Sequence, residues 1–112
     1  MHTKAIGDRG EDLASQWLLH AGYTIVARNF RTRWCEIDIV ARKDAVIYFV
    51  EVKYRKNDLY GDGFAYVTPK KLEQMQFAAE LWMQQQNYSG ESLLAAISID
   101  GRSDQIEFVE LD

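Results

Sequence analysis

The segment Val46–Lys53, with the sequence VIYFVEVK, constrains the fold of this 112-residue chain more than any other. It begins with five consecutive apolar residues and ends with Glu51 and Lys53 on either side of Val52. An unbroken apolar run of this length is typical of a strand that is buried on both faces near the centre of a sheet. The segment therefore predicts a central strand with charged side chains at its carboxyl end.

The segments around this strand predict a mixed arrangement of helices and strands. Apolar residues at helical spacing begin at Ile6, and Gly22 is suited to end that helix in the left-handed conformation. Thr68 is suited to cap a second helix whose first residue is Pro69. The predicted elements are a helix over 4–21, strands over 23–31, 36–41 and 46–53, a loop over 57–66, a helix from 69 to about 86, and strands over 93–99 and 105–111. We therefore expect one α/β domain over residues 1–112, a mixed β-sheet flanked by helices in the order α-β-β-β-α-β-β.

Length and composition exclude several classes of protein. The longest apolar runs are roughly seven residues, far below the ~20 that a membrane-spanning helix needs. A single cysteine, Cys35, cannot form an internal disulfide, and with His2 and His20 it makes no zinc-binding spacing. The polar N-terminus predicts no secretory signal peptide, so we expect a protein of the reducing cytoplasm with no membrane partner.

Charge is unevenly distributed along the chain. The net charge of −4 argues against strong long-range attraction of a polyanion. Residues 28–56, however, contain eight basic and four acidic residues, whereas residues 72–112 contain one basic and eight acidic residues. A local basic surface around the middle of the chain is therefore compatible with nucleic-acid binding.

The two middle strands bring acidic residues face to face. Side chains two residues apart in a strand share a face, so Glu36 lies with Asp38. By the same rule Glu51 lies with Lys53. A two-residue loop at Asp44–Ala45, or a four-residue loop over 43–46, places Asp38 opposite Glu51. In that register Glu36 lies opposite Lys53, and all four side chains share one face of the sheet.

Three carboxylates and one amine on a single face have two interpretations. Facing acids repel each other and are costly to bury unless a cation compensates their charge. Mg²⁺ takes one or two carboxylates and keeps water for a substrate, and a neighbouring lysine can stabilise a phosphoryl transition state. The alternative is a solvated hairpin face with ordinary surface ion pairs. The apolar stretch VIYFV argues against the alternative, because a surface strand would contain more polar residues.

A further carboxylate lies on the first predicted helix. Glu11 falls at the edge of the apolar stripe, next to Leu18. Gly7 and Gly10 on the inward side would let another element approach the helix closely. Glu11 is either a boundary residue that points outward or, beside a metal cluster, an outer carboxylate of that cluster.

Basic and aromatic residues surround the same strands. The basic residues are Arg28, Arg31, Arg33, Arg55, Lys56, Lys70 and Lys71, and the aromatic residues are Tyr54, Tyr60, Phe64 and Tyr66. The two lysines at 70–71 fall in the first turn of the second helix, where the helix dipole favours anions. Rings beside basic groups can stack nucleobases, although a solvated edge with its aromatic rings in the core explains the same pattern. Cys35 alternates with Glu36 and Asp38, and we interpret it as a small buried residue rather than a nucleophile.

Several motifs taken together resemble a known family. They are G-x-x-G-E-x-x-A from Gly7 to Ala14, GY at 22–23, RNFR at 28–31, EIDIVA at 36–41 and FVEVKYR at 49–55. In this order, and with thirteen residues from Asp38 to Glu51, they resemble the YraN-like family of small bacterial proteins. That family is similar to archaeal Holliday-junction resolvases within the PD-(D/E)xK nuclease superfamily. Ile37 in place of the superfamily proline and Cys35 in place of the usual glycine are departures that leave the acidic positions intact.

The resemblance covers nearly the whole chain and implies a restriction-endonuclease-like fold with a metal site. Asp38 and Glu51 match the acidic ligands, and the Val52 carbonyl is a further expected ligand of Mg²⁺ or Mn²⁺. Lys53 matches the motif lysine, and Glu11 matches the helix glutamate of the resolvase-like branch. The expected catalytic residues are Asp38, Glu51, Lys53 and Glu11, with Glu36 and Tyr54 as accessory residues.

We therefore expect a metal-dependent endonuclease that hydrolyses phosphodiester bonds of nucleic acid. The expected substrate is DNA, including branched or single-stranded DNA. The residues expected to hold the nucleic-acid backbone without reading its sequence are Arg31, Arg55, Lys70 and Lys71. A homodimer would suit two-fold cleavage of a junction. One alternative is a non-catalytic nucleic-acid-binding module. The other is a protein-interaction domain whose acidic segment, with Glu107, Glu110 and Asp112, binds a basic partner.

Overall fold

The chain forms a mixed five-stranded β-sheet with one helix on each face, as a computed structural model shows. The structure describes residues 2–56 and 63–111, and the side chains of residues 9–56 and 63–111. The elements are α1 (His2–His20), β1 (Thr24–Arg31), β2 (Glu36–Lys43), β3 (Val46–Arg55), α2 (Pro69–Gln85), β4 (Glu91–Asp100) and β5 (Gln105–Leu111). This is the predicted order and the predicted α/β class.

β3 is the central strand of the sheet. The strand order is β1-β2-β3-β4-β5, and every neighbouring pair is antiparallel except β3 and β4, which are parallel. Residues 47–50 of β3 are buried, as the apolar run predicts. A parallel neighbour requires a crossover connection, which α2 and its flanking segments supply.

A two-residue turn joins β2 to β3. Lys43 pairs with Val46, so Asp44 and Ala45 are the only residues between the paired strands. Both have positive φ, 52° and 66°, as a type I′ turn requires. The two-residue loop considered in the sequence analysis is therefore confirmed, together with the register that it sets as far as the pair Ile39–Val50.

Each face of the sheet packs against one helix. On the α1 face, the buried residues include Ala14 and Leu18 of the helix and Ile39, Val50 and Ile97 of the strands. On the α2 face, they include Met75, Ala79 and Trp82 of the helix and Val40 and Phe49 of the strands. Gly10 permits a close approach of α1 to β3, because a Cβ atom there would lie 3.1 Å from the Cβ of Tyr54.

The helix ends follow the predicted signals. Gly22 has a φ of +96°, so it ends α1 in the left-handed region as expected. The side chain of Thr68 accepts a hydrogen bond of 3.1 Å from the backbone N–H of Lys71, and Pro69 is the first helical residue of α2. β4 ends at Asp100, one residue beyond the predicted strand over 93–99, and the turn to β5 lies at residues 101–104.

Some predicted features fall outside the described part of the chain. They are most of the loop over 57–66, with Tyr60, the side-chain packing around Ile6 and Gly7, and Asp112. Among the described helices, neither is long and apolar enough to cross a membrane.

The alternation of β2 changes at Asp38. Ile39 and Ala41 belong to the core under α1, whereas Ile37, only two residues before Ile39, belongs to the core under α2. On β1, the partners of Ile37 and Ile39 flank Asn29, which has a positive φ of 58°. Adjacent positions of β1 and β2 therefore depart from regular strand geometry together, and strict alternation does not hold through Asp38.

Candidate active site

The candidate site lies where β2 and β3 separate. Their ladder ends at the pair Ile39–Val50. At the next position the Asp38 Oδ2 accepts a hydrogen bond of 2.7 Å from the backbone N–H of Val52. A side chain thus replaces the backbone partner of β3. Since the N–H and C=O groups of one strand residue point to the same side, the Val52 carbonyl faces the same gap.

Three carboxylates meet on the α1 side of this gap. Oxygen atoms of Glu11, Glu36 and Asp38 all lie within 4.8 Å of one another. Burial raises the pKa of Glu11, and the cation of Arg28 opposes this effect. Glu11 therefore faces the acidic residues of β2 rather than pointing away from them.

Glu51 points to the other helix. Its Oε1 lies 3.2 Å from the Nζ of Lys71 in the first turn of α2, and the two side chains are 14% and 26% exposed. Its Oε2 is buried without a hydrogen-bond partner among the described residues. Burial raises the pKa of Glu51, with the charge of Lys71 acting against it. The expectation that Glu36, Asp38, Glu51 and Lys53 share one face is therefore wrong, because the change of alternation in β2 separates Glu51 from Glu36.

Asp38 is the carboxylate of the four that has no cation within ion-pair distance in the described part of the chain. Burial, followed by the like charge of Glu51, raises its pKa to about 8. The other three carboxylates each contact a basic side chain. The pairs are Arg28–Glu11 at 3.4 Å, Arg31–Glu36 at 2.7 Å and Lys71–Glu51 at 3.2 Å. Asp38, which lies between Glu51 and the pair Glu11 and Glu36, therefore favours its protonated form in the metal-free chain.

Lys53 and Tyr54 occupy different surroundings from those predicted. Lys53 is exposed, and its Nζ lies 5.9 Å from the ring centroid of Tyr66 instead of pairing with Glu36. The ring of Tyr54 packs against Gly10, and its hydroxyl donates a hydrogen bond of 3.5 Å to the carbonyl of Gly101. Lys53 thus lies beside the site, whereas the hydroxyl of Tyr54 is directed toward the last turn.

The four residues expected to hold nucleic acid divide into two pairs. Arg31 and Lys70 are exposed, and Arg31 also pairs with Glu36 at 2.7 Å. Lys71 is engaged with Glu51 inside the site, and Arg55 donates a hydrogen bond of 3.0 Å from Nε to the hydroxyl of Ser98. Exposed cations near the acids are therefore fewer than the sequence suggests.

Two residues beside the carboxylates, Arg28 and Tyr66, have no site role in the sequence-based prediction. Arg28, which contacts both Glu11 and Asp12, was recognised only as a basic residue. The signal that could have identified it is the RNFR motif, which pairs antiparallel with the acidic start of β2. Tyr66, close to Lys53, carried no signal beyond its aromatic ring. Cys35 is buried as predicted, and burial raises the pKa of its thiol.

Comparison with known proteins identifies relatives over most of the chain. The family described as "Uncharacterised protein family UPF0102" matches residues 10–108. A UPF0102 protein of Klebsiella pneumoniae is 39% identical over 98% of this chain and 81% of its own length. One from Geobacter sulfurreducens is 48% identical over 73% of this chain and 64% of its own length. One from Geobacter metallireducens is 39% identical over 97% of this chain and 92% of its own length.

The family match over residues 10–108 covers β2 and β3, both strands of the candidate site. These matches confirm the resemblance to the YraN-like proteins. The chain belongs to the UPF0102 family.

Proposed function

We propose that this protein is a metal-dependent phosphodiesterase that cleaves nucleic acid. The observation that carries the proposal is the state of Asp38, a half-buried carboxylate surrounded by three other acids and held by the N–H of Val52. A buried charge without a partner is unfavourable unless a proton or a cation compensates it. A divalent cation is the compensating group that also has a use in phosphate chemistry.

The donor atoms at the gap fit Mg²⁺ or Mn²⁺. Both ions prefer oxygen ligands, and Mg²⁺ is commonly held by one or two carboxylates and by water. Asp38 supplies one carboxylate, and the unpartnered Oε2 of Glu51 supplies a second. The carbonyl of Val52 faces the same gap, so these three residues would hold the ion. When bound, the ion supplies Lewis acidity and lowers the pKa of water.

The protein side chains would orient the reacting groups. The ammonium of Lys53, exposed beside Tyr66, would bind the scissile phosphate and stabilise the charge that develops on it. Lys71 would hold Glu51 in place through the 3.2 Å ion pair. Glu11 and Glu36 would orient Asp38 from the α1 side and accept protons from water.

The substrate that we propose is DNA, including branched or single-stranded forms. The exposed cations Arg31 and Lys70 would contact the phosphate backbone, which requires no sequence recognition. Because the net charge is −4, binding is expected to be weak and strongly salt-dependent. A homodimer would place two such sites on a two-fold symmetric junction.

The test is cleavage of labelled duplex, single-stranded, flap and four-way-junction DNA and of RNA in Mg²⁺ or Mn²⁺. Asp38→Asn keeps an acceptor for the Val52 N–H but removes the charge, and we expect its rate to fall by more than about 100-fold. The cleavage rate of Lys53→Ala should fall by a similar factor. The matched control is Asp44→Asn, the same change in the turn at the other end of β2, which should cleave like the wild type.

Cleavage that survives Asp38→Asn would contradict the proposal. So would a folded wild type that cleaves none of the substrates in either metal. Metal-independent binding of the labelled DNA without cleavage would then favour the non-catalytic binding module.

A further inference from the structure

A buried phenol beside the carboxylates has no assigned role. Tyr66 lies two residues before the cap of α2, and its backbone carbonyl accepts a hydrogen bond of 3.1 Å from the N–H of Thr68. Its hydroxyl is buried and has no hydrogen-bond partner among the described residues. Buried tyrosine hydroxyls usually find a partner, so a missing one indicates that another molecule satisfies the group.

The surroundings of this hydroxyl are those of the proposed metal site. Burial raises the pKa of Tyr66, and the negative charges of Glu51 and then Asp38 raise it further, so the phenol keeps its proton and can donate it in a hydrogen bond. The Oε2 of Glu51 is likewise buried without a partner. The ammonium of Lys53 lies 5.9 Å from the centre of the Tyr66 ring. The charge of Glu51 thus acts on the Tyr66 phenol, and both the hydroxyl and the Glu51 Oε2 are buried without a hydrogen-bond partner among the described residues.

We propose that the Tyr66 hydroxyl donates a hydrogen bond to a water molecule held between it and Glu51, and that this water completes the oxygen shell of the divalent cation. The inference rests on the proposed function and makes Tyr66 a positioning residue, because it acts on the cation through the water and Glu51. Water is the smallest group that can pair with both a donor and an acceptor, and the enclosed hydroxyl leaves no open approach for a nucleic-acid phosphate. Mg²⁺ and Mn²⁺ both retain water ligands in protein sites.

Tyr88 provides a matched comparison. Its hydroxyl lies 2.6 Å from the backbone carbonyl of Glu91, to which it donates a hydrogen bond near the end of the sheet remote from Asp38. Replacing either tyrosine by phenylalanine removes one oxygen and leaves the ring. At Tyr88 the change removes a hydrogen bond that the protein makes by itself. At Tyr66 it removes a group that the folded chain leaves unsatisfied, so the metal-free protein should not be destabilised.

The experiment measures Mn²⁺ binding by electron paramagnetic resonance and thermal unfolding with and without Mn²⁺. The proteins are the wild type, Tyr66→Phe, Tyr88→Phe and Asp38→Asn. Tyr66→Phe should weaken Mn²⁺ binding by about tenfold, as expected for a residue that orients a ligand from outside the metal shell. Its melting temperature without Mn²⁺ should equal or exceed that of the wild type. Tyr88→Phe should melt at a lower temperature and bind Mn²⁺ like the wild type.

Two results would overturn the inference. One is equal Mn²⁺ affinity of the wild type and Tyr66→Phe while Asp38→Asn binds more weakly, which would leave the proposed function standing. The other is a fall in the metal-free melting temperature of Tyr66→Phe as large as that of Tyr88→Phe, which would make the hydroxyl structural. If the wild type binds no Mn²⁺, the proposed function fails and the inference fails with it.

Discussion

The two ends of the β2–β3 hairpin differ in almost every physical respect. At the turn end, residues 43–50, the backbone is paired, the turn type suits the strand twist, and Phe49 is fully buried. At the gap end, residues 36–38 and 51–53, the ladder stops and a carboxylate replaces a backbone partner. The turn end is stabilised by backbone pairing and apolar packing. The gap end brings acidic side chains together, and their partial burial destabilises the folded state. This contrast indicates that the gap end is shaped by function.

The largest expected effect is at the turn end. Phe49→Ala should lower the free energy of unfolding by about 3–5 kcal/mol, because Phe49 is 0% exposed and its ring centroid lies 5.6 Å from that of Trp82. Urea denaturation followed by circular dichroism measures the change. The same substitution at Phe77, which is 48% exposed, should lower the free energy by under about 1 kcal/mol. Equal losses would mean that the turn end is not the stable part of the hairpin.

The next largest effect on stability is expected at the gap end, at the ion pair between Lys71 and Glu51. Lys71→Met should lower the free energy of unfolding by about 2 kcal/mol, since it leaves Glu51 buried without its cation; a fully buried pair would lose more. Adding Glu51→Gln should restore most of the loss, and a double-mutant cycle in urea measures the coupling. Lys70→Met, one residue away and exposed, should stay within about 0.5 kcal/mol. If Glu51→Gln did not restore the stability of Lys71→Met, the loss of stability would not come from the Lys71–Glu51 ion pair.

A third effect concerns pH. The pKa of Asp38 is about 8 in the folded chain, so the folded state holds a proton that the unfolded state releases near pH ~4. Stability from this group is therefore present below pH ~4 and is lost as the pH rises toward 8. In metal chelator at pH 8, Asp38→Asn should be more stable than the wild type by more than about 1.4 kcal/mol, the equivalent of one pKa unit. Urea denaturation of both proteins between pH ~4 and ~8 measures this difference in the free energy of unfolding. A difference that stays constant across the pH range would contradict the prediction.

The smallest effect on stability is expected in the turn at Asp44–Ala45. Ala45 has a φ of 66°, a conformation that glycine adopts without strain. Ala45→Gly should raise the free energy of unfolding by about 0.5 kcal/mol and the melting temperature by a few degrees, since Asp-Gly is a preferred type I′ pair. Differential scanning calorimetry measures the shift. A lower melting temperature would show that the turn gains nothing from relief of strain.

Most of the fold could be predicted because its signals are local. The turn at Asp44–Ala45, the cap at Thr68 and the stop at Gly22 each depend on a few neighbouring residues. Helical spacing of apolar residues identified α1, the signal at Thr68 and Pro69 identified α2, and an unbroken apolar run identified the central strand. These features do not depend on how distant elements pack, and the structure agrees with them.

The site was predictable only in part, because its arrangement depends on tertiary packing. The predicted register is correct as far as the pair Ile39–Val50, but the prediction assumed continued alternation along β2. The positive φ of Asn29 on the neighbouring strand accompanies a change of face that no pattern in EIDIVA reveals. Likewise, Lys71 was predicted as a surface cation, because the sequence does not show that α2 begins beside Glu51.

The central position of β3 has a kinetic consequence. Its pairing with β2 closes a turn of two residues, whereas its pairing with β4 joins Val46 to Glu91, far along the chain. Local contacts tend to form first, so the hairpin should be largely formed in the transition state, before α2 brings Lys71 to Glu51. In the hairpin alone the carboxylates are hydrated and tolerate one another, and their repulsion grows only when the helix covers them. A divalent cation should therefore slow unfolding and leave the refolding rate nearly unchanged, which stopped-flow measurements with Mg²⁺ would detect. Under the proposed function, the cation would bind at the end of folding, and the half-life of the folded chain would depend on the supply of that cation.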